Sequence, residues 1–408
     1  MGACSYLIKA QLFVLLASVA YMAGCFLLGL PGAQRQYLFL HQVRFPPFAK
    51  YDQPHKHGLP LGSVRNFYLN STDGNQIGTW HFLPQEVYQQ HAREVNATHA
   101  QLPTDIFEEA LRSYPTVIYL HGNGLNRAAT FRRRICQQVS ERMNVNIVAI
   151  DYRGYGDSSG VPSEKGVVDD AYAAVTYVRS HSLDETTSKR PSLTLMGQSL
   201  GTAIATQTAL RLYREGIYLD SLVLLAAFKA LRPMVIEFKL AGIVPMLGFL
   251  NYFPYKEEIL DHFVHYEFDT MSALEEMVRG FTEDSPVLPP SILLMHASND
   301  PVIPVYHAED LYNMAEERTQ AMTKMSSYHV WSSKVPDLGF VQAIMNKQAL
   351  LPERRGRLPG TRFVLPRNAA FTYVRLEKGG HDHLLRNNVD ALQLMLPQSM
   401  TGGDRPAY

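Results

Sequence analysis

The sequence has few of the residues that would crosslink its fold. It contains three cysteines in 408 residues, too few for a dense disulfide framework, and a chain of this length can build an apolar core without one. Basic and acidic residues both number 38, so the net charge is zero, whereas a protein dedicated to nucleic acid usually carries a basic excess. Charged residues make up 19% and hydrophobic residues 46%, which excludes disorder for most of the chain.

Motifs for metal ions and nucleotides are also missing. The pairs His262–His265 and His55–His57 have no carboxylate or cysteine set beside them, so we expect no metal site. The glycine-rich segment 151–160 (DYRGYGDSSG) lacks the spacing of a nucleotide-binding loop and is interpreted as a tight loop that braces a neighbouring site. We therefore predict no metal, no organic cofactor and no nucleic-acid partner. The oligomeric state stays open.

One stretch of the chain lacks charge altogether. Residues 10–30 contain no Asp, Glu, Lys or Arg. A helix of this length spans about 30 Å, which is the thickness of a bilayer's hydrocarbon core. A cleaved signal peptide is the alternative, but its apolar region usually has about 7–15 residues. We predict a short tail at 1–9 and one N-terminal transmembrane helix, a signal-anchor, at 10–30.

Two glycosylation sequons suggest where the body of the protein lies. They are Asn70-Ser71-Thr72 and Asn96-Ala97-Thr98, both in polar stretches before the first core element. Basic residues flank the apolar stretch on both sides, so charge counting does not decide the orientation. With the anchor, the sequons favour a single-pass protein of the endoplasmic reticulum membrane with a luminal catalytic body.

The rest of the chain alternates short apolar runs with segments of helix length. Strands are predicted at 63–69, 77–83, 116–120, 146–150, 193–196, 222–225, 292–295 and 371–376. Helices are predicted at 130–142, 167–180 and 202–215. Continuous apolar runs suit strands buried on both faces, and the alternation indicates a mostly parallel sheet covered by helices on both faces. The predicted fold class is α/β.

The strongest functional motif is Gly197-Gln198-Ser199-Leu200-Gly201, at a predicted strand–helix junction. A serine on such a tight turn stands exposed above the sheet, and the glycines allow neighbouring backbone to approach. The alternative is an ordinary glycine-rich turn with a helix-capping serine. We interpret Ser199 as a nucleophile.

A serine nucleophile needs a base, and the base needs an orienting acid. Asp300 follows the strand at 292–295, at the sheet edge where active-site loops gather. His381 follows the last predicted strand and two glycines, and His383 is the alternative base. The chain order Ser199, Asp300, His381 matches the order of the triad in hydrolases with this turn.

An oxyanion hole is predicted after the strand at 116–120, in the segment 121–124 (HGNG). Attack by a serine leaves a negative oxygen, and each backbone N–H that receives it contributes a few kcal/mol. We expect the amides of Asn123 and Leu200 to do so. His121 is expected to pack beneath the loop and not to take part in catalysis.

The motifs HGNG, DYRGYGDSSG, GQSLG and SNDPVIP together resemble the α/β-hydrolase superfamily, between about residues 60 and 395. They resemble especially its membrane-anchored lysophosphatidylserine lipases, which are relatives of monoacylglycerol lipases. The resemblance implies the α/β-hydrolase fold at 61–395, preceded at 31–60 by a linker or a segment lying on the body, and followed by a tail at 396–408. It also implies that Ser199, Asp300 and His381 are nucleophile, acid and base.

Two parts of the hydrolase region are predicted insertions. A cap is expected at 228–285, and its apolar residues at 228–253 form either a surface that admits an acyl chain or an ordinary packed helix pair. The segment 312–368 is long for the family and is interpreted as a second insertion.

The resemblance implies cleavage of acyl esters of lysophospholipids or monoacylglycerols, with a lipid substrate and the bilayer as partners. A protein depalmitoylase or a serine peptidase on the same fold is the alternative. Depalmitoylation of cytosolic proteins needs a cytosolic body, where Asn70 and Asn96 would carry no glycans. The complete set of motifs disfavours a catalytically inactive binding protein.

Overall fold

The computed structural model describes residues 2–28, 30–183, 190–237, 239–240, 244–245, 248–279, 290–320, 329–330, 361–364, 371–385, 389 and 392. The strands are β1 (Val64–Asn70), β2 (Gln76–Phe82), β3 (Thr116–Leu120), β4 (Asn146–Ile150), β5 (Leu193–Gln198), β6 (Ser221–Leu225), β7 (Lys239–Leu240), β8 (Val244–Pro245), β9 (Ser291–Ala297), β10 (His329–Val330), β11 (Thr361–Val364) and β12 (Phe371–Leu376). The α-helices are α1 (Gly2–Leu28), α2 (Pro31–Phe39), α3 (Gln85–Thr98), α4 (Thr104–Ser113), α5 (Thr130–Met143), α6 (Glu164–His181), α7 (Leu200–Arg214), α8 (Leu231–Glu237), α9 (Lys256–Phe263), α10 (Thr270–Arg279) and α11 (Tyr306–Gln320). Single 3-10 turns occur at Pro54–His57 and Gly248–Tyr252.

The main sheet has the strand order β1-β2-β4-β3-β5-β6-β9-β12-β11-β10. The strands from β4 to β12 in this order are parallel, and the pairs at both ends of the sheet are antiparallel. The predicted α/β-hydrolase fold with a mostly parallel sheet is thereby confirmed. Because the central strands are parallel, their carboxyl ends share one edge, where the loops after β3, β5, β9 and β12 meet.

The central strands form because their apolar runs are buried on both faces. Every residue of β3, β4 and β6 is buried. Two large apolar clusters lie on opposite faces of the sheet, one including Ile118 and Leu195 and the other including Tyr119 and Met196. Full burial of a large apolar side chain stabilises the fold by about 1.5–3 kcal/mol, so this pattern fixes the register of each strand.

The predicted cap and second insertion are partly described. Between β6 and β9 the chain forms α8, α9 and α10, and α10 packs on α7, while residues 241–243, 246–247 and 280–289 lie outside the described residues. Residues 312–320 belong to α11, which contacts β9 and β12. Residues 331–360 and the tail at 396–408 lie outside the described residues. The domain boundaries stay a prediction.

The N-terminal region consists of the long helix α1 and a segment that lies on the body of the protein. Helix α1 covers most of the stretch at 10–30, but within the part of the chain that the structure describes, no helix has both the length and the apolar character needed to cross a membrane. The structure therefore does not support the predicted transmembrane helix. The next segment lies on the body: the Phe39 ring is fully buried and contacts the rings of Tyr266 and Phe268, and Trp80 donates to the Tyr51 carbonyl.

Candidate active site

Ser199 lies on a strained turn between β5 and α7. Its backbone has φ 53° and ψ −121°, a conformation that side-chain-bearing residues rarely adopt. The turn is tight because a Cβ at Gly197 would lie 2.2 Å from the Gly201 carbonyl oxygen, and a Cβ at Gly201 would lie 2.0 Å from the Leu120 carbonyl oxygen. Only glycine fits at both positions. The Ser199 side chain does not cap α7, so the alternative of a helix-capping serine is wrong.

Three of the predicted site residues form one hydrogen-bonded chain. The Ser199 Oγ atom lies 2.8 Å from His381 Nε2, and His381 Nδ1 lies 2.9 Å from Asp300 Oδ2. Both distances are within hydrogen-bond range for a nucleophile, a base and an orienting acid. The residues come from the ends of β5, β9 and β12, so the parallel sheet edge brings together positions that are 182 residues apart in the chain.

The Asp300 side chain is fully buried and well supplied with donors. Its Oδ1 accepts the backbone amides of Val302 and Ile303 at 2.8 and 3.0 Å, and His296 Nε2 lies 3.4 Å from its Oδ2. Burial opposes ionisation of this carboxyl, but hydrogen bonds from His296 and His381 outweigh it and lower the pKa of Asp300 well below its usual range. The group is therefore a carboxylate that accepts the Nδ1 proton of His381.

The loop that carries His381 is held by two side chains that no sequence motif had indicated. Asn299 Oδ1 accepts the amides of Gly379 and Gly380 at 3.1 and 3.0 Å, directly before His381. Gln198 Nε2 lies 3.5 Å from the His381 carbonyl oxygen, and Tyr119 donates to Gln198 Oε1 at 2.6 Å. Both residues adjoin predicted site residues in the motifs SND and GQS, and that adjacency is the only signal that pointed to them.

The loop 121–124 lies directly against the serine. A Cβ at Gly122 would be 3.1 Å from Ser199 Cβ and 3.7 Å from its Oγ. Asn123 is exposed in this loop, and Leu200 is the first residue of α7, where backbone amides have no partner within the helix. Both predicted oxyanion donors thus belong to segments that flank Ser199. His121 is buried beneath the loop, and its Nδ1 donates to the Gly122 carbonyl at 2.6 Å.

The segment 151–160 braces the site through buried charge. The Arg127 guanidinium donates to Asp151 and Asp157, each at 2.6 Å. Burial opposes ionisation of Asp151, but Arg127 and His121 outweigh it and lower the pKa of this carboxyl. Burial lowers the pKa of His121. Removing one partner of such a buried pair costs about 3–5 kcal/mol, so the loop is held firmly behind the predicted oxyanion segment.

Two further predictions concern the surface and metal ions. Asn70 ends β1 and Asn96 lies in the last turn of α3, and both side chains are exposed, while their use as glycosylation sites stays a prediction. Among the described residues no group of three or more His, Cys, Asp or Glu side chains is arranged to hold a metal ion.

Comparison with known proteins assigns the family. Residues 117–392 match the profile of the Alpha/beta hydrolase family. The chain belongs to this family. It is 32% identical over 311 residues to a "Lysophosphatidylserine lipase ABHD12" of Xenopus tropicalis, covering 75% of this chain and 72% of that protein. It is also 30% identical over 273 residues to the human "Protein ABHD12B", covering 65% of this chain and 67% of that one.

A solved structure supports the same fold. The crystal structure of an alpha-beta hydrolase from Vibrio vulnificus superposes with a TM-score of 0.51 at 14% identity, covering 88% of this chain and 91% of that chain. At this identity the likeness concerns the fold alone. The resemblance to the lysophosphatidylserine lipase group is confirmed, as is the predicted enzyme class, a hydrolase of esters.

Proposed function

We propose that this hydrolase cleaves acyl esters of lysophospholipids of the lysophosphatidylserine type, of monoacylglycerols, or of both, with Ser199 as nucleophile. The observation that carries the proposal is the hydrogen-bonded chain from Ser199 Oγ through His381 to the buried Asp300 carboxylate. The strained turn supports it, because a residue persists in such a backbone conformation only where the surrounding structure enforces it.

The geometry supports a two-step reaction. His381 Nε2 takes the Ser199 proton while Oγ attacks the acyl carbonyl carbon, and the negative oxygen is received by the amides of Asn123 and Leu200. The C–O bond to the alcohol breaks, His381 returns the proton to the leaving oxygen, and an acyl-enzyme remains. Water then attacks the acyl-enzyme with His381 as base, which releases the fatty acid and restores Ser199.

Two observations support the proposal of a lipid substrate: the names of the relatives and an exposed apolar surface in the predicted cap. The names of several relatives describe them as lysophosphatidylserine lipases. In this chain Tyr252, Phe253 and Tyr255, between β6 and α9, are largely exposed at 87%, 51% and 68%. Exposed apolar side chains that lie together often mark contacts with a lipid or a partner.

The test is hydrolysis by the detergent-purified full chain of a panel of substrates. The panel contains lysophosphatidylserine, other lysophospholipids, a monoacylglycerol, a triacylglycerol and an acyl-thioester peptide. We expect cleavage of lysophospholipid or monoacylglycerol, and loss of both hydrolysis and fluorophosphonate labelling in Ser199→Ala. Labelling of that variant at the wild-type rate refutes Ser199 as nucleophile, and turnover of the thioester peptide alone refutes the lipid substrate.

A matched pair of variants tests the base. His381→Ala removes the group that faces Ser199 and is expected to abolish turnover. His383→Ala changes the neighbouring histidine, which is exposed, and is expected to keep turnover close to the wild-type value. Equal losses in the two variants contradict the assignment of His381.

We also propose that the protein works at a membrane, with its catalytic body in the lumen of the endoplasmic reticulum. The support is the uncharged sequence at 10–30, together with large exposed apolar side chains on α1 such as Phe13 and Leu16. Glycans on Asn70 and Asn96 require a luminal body. We expect a glycosidase mobility shift that disappears in the double variant Asn70→Gln and Asn96→Gln, and retention in the pellet after carbonate extraction. An unglycosylated, fully extractable protein contradicts this placement.

A further inference from the structure

A buried arginine supports the predicted oxyanion loop from behind. Arg132, in the first turn of α5, is 2% exposed, and its guanidinium reaches three consecutive carbonyls of the loop. Nη1 donates to the Gly124 carbonyl at 2.9 Å, and Nη2 donates to the Gly122 and Asn123 carbonyls, both at 3.0 Å. No ion pair joins Arg132 to a carboxylate among the described residues. Its charge is met by these carbonyl dipoles and by the ring of Phe131, whose centroid lies 5.3 Å from Arg132 Cζ.

These bonds fix the orientation of the peptide that carries the predicted oxyanion donor. In a planar trans peptide the carbonyl and the following N–H point in opposite directions. The Gly122 carbonyl accepts from Arg132 and also from His121 Nδ1, so it points into the protein interior. The N–H of Asn123 belongs to the same peptide and points the opposite way, and the loop meets Ser199 here, since a Cβ at Gly122 would lie 3.1 Å from Ser199 Cβ.

The two amides that follow Asn123 have partners in the N-terminal part of the chain. The Gly124 amide donates to the Phe39 carbonyl at 2.8 Å, and the Leu125 amide donates to the Val43 carbonyl at 2.9 Å. The end of α2 and the residues that follow it thus also hold this loop. Within the described part of the chain, the amide of Asn123 has no such partner and remains available for a substrate oxygen.

We propose that Arg132 is a positioning residue of the oxyanion hole. It aims the Asn123 amide at the carbonyl oxygen of the substrate, and its positive charge, which no carboxylate among the described residues pairs with, favours the negative oxygen of the tetrahedral intermediate. Burying a charge without a carboxylate partner is costly, and a residue needed only for packing would not require it. The inference rests on the proposed serine-hydrolase function and deepens it, because it names the group that orients the oxyanion donor.

The test compares variants on the same helix in the full-length protein. Arg132→Met removes both the charge and the hydrogen-bond donors. Arg132→Lys keeps the charge but replaces the planar guanidinium with a single ammonium group. Arg134→Met is the matched control at an exposed position of α5. Loss of one oxyanion donor lowers kcat by about 10²–10³-fold in enzymes of this kind. We expect Arg132→Met to lose about 10²-fold in kcat with little change in KM, Arg132→Lys to lose less, and Arg134→Met to match the wild type.

Two further measurements separate positioning from folding. Active-site labelling by a fluorophosphonate counts the competent molecules, and the thermal midpoint reports folding, so kcat is expressed per folded, labelled molecule. If Arg132→Met does not fold, Arg132→Lys carries the test by itself. A kcat of Arg132→Lys or Arg132→Met equal to the wild type, or a loss explained wholly by KM or by the unfolded fraction, overturns the inference. A wild-type protein that neither labels nor hydrolyses any ester refutes the proposed function instead.

Discussion

The strained backbone at Ser199 predicts that glycine at this position makes the protein more stable than alanine does. Ser199→Gly and Ser199→Ala both remove the hydroxyl, so neither variant is expected to hydrolyse esters. They differ in the backbone, since glycine adopts φ 53° without a Cβ penalty whereas alanine does not. The comparison therefore isolates the strain that the turn imposes on the nucleophile.

The size of the difference follows from two opposing contributions. A residue held in a sparsely populated backbone region costs about 1–3 kcal/mol. Glycine loses more conformational freedom on folding than alanine, which costs roughly 0.5–1 kcal/mol. The Ser199→Gly variant should therefore exceed Ser199→Ala by about 1 kcal/mol in free energy of unfolding. With a urea m-value of about 3 kcal/mol/M, the unfolding midpoint rises by about 0.3 M.

Urea unfolding followed by tryptophan fluorescence measures this difference. Trp80 is fully buried and serves as a reporter of the core around β2. The change from alanine to glycine at Ala203, a buried position in the first turn of α7, provides the control, because Ala203→Gly is expected to destabilise. An unfolding midpoint of Ser199→Gly at or below that of Ser199→Ala refutes the assignment of strain to this residue.

Three further predictions concern the acid, a buried histidine and the N-terminal segment. Asp300→Asn is expected to lower kcat by about 10³–10⁴-fold, because the base loses its orienting carboxylate, while Asp382→Asn keeps most activity; similar kinetics of the two variants would argue against Asp300. Burial lowers the pKa of His81 to about 3, so the unfolded chain takes up a proton below pH 6.5 that the folded protein does not. The contribution of His81 to stability is complete above pH 6.5 and declines by up to about 1.4 kcal/mol per pH unit as the pH falls towards 3. His81→Gln should flatten this dependence in urea titrations at pH 7 and pH 5, and an unchanged slope would contradict it. Phe39→Ala should cost about 3–5 kcal/mol and lower activity, whereas Val43→Ala, at an exposed side chain, should change the unfolding free energy by less than about 0.5 kcal/mol.

The fold could be predicted because its central strands are short and mostly apolar. The predicted bounds of β3, β4 and β12 agree with the observed ones, since an apolar run buried on both faces ends where polar residues begin. The candidates Ser199, Asp300 and His381 could be predicted for a related reason. Each follows a strand of its own, and their order along the chain matches that of the family. The pattern of the chain thus determines which loops meet at the sheet edge.

The supporting residues could not be predicted, because their contacts join distant parts of the chain. Asn299 meets Gly379 across 80 positions, and Phe39 meets Tyr155 across 116. Arg132 is close in sequence to the loop 121–124 but lies on helix α5, whose sequence is mostly polar. Nothing in that sequence indicates that the Arg132 side chain is buried. Amide and guanidinium groups that bind backbone leave no periodic signal. Their roles appear only when packing is known.

Strand β12 is the last parallel strand to be synthesised, so ester hydrolysis is expected only from a chain that has completed its sheet. His381, the proposed base, follows this strand, whose parallel pairing with β9 joins residues about 80 positions apart, and β9 lies beside β6 in the middle of the sheet. A chain emerging from the ribosome contains Ser199 and Asp300 before residue 371 is made, but it lacks His381, the proposed base, and presents an open strand edge at β9. With His381 as base, ester hydrolysis starts only after the last parallel strand has closed this edge.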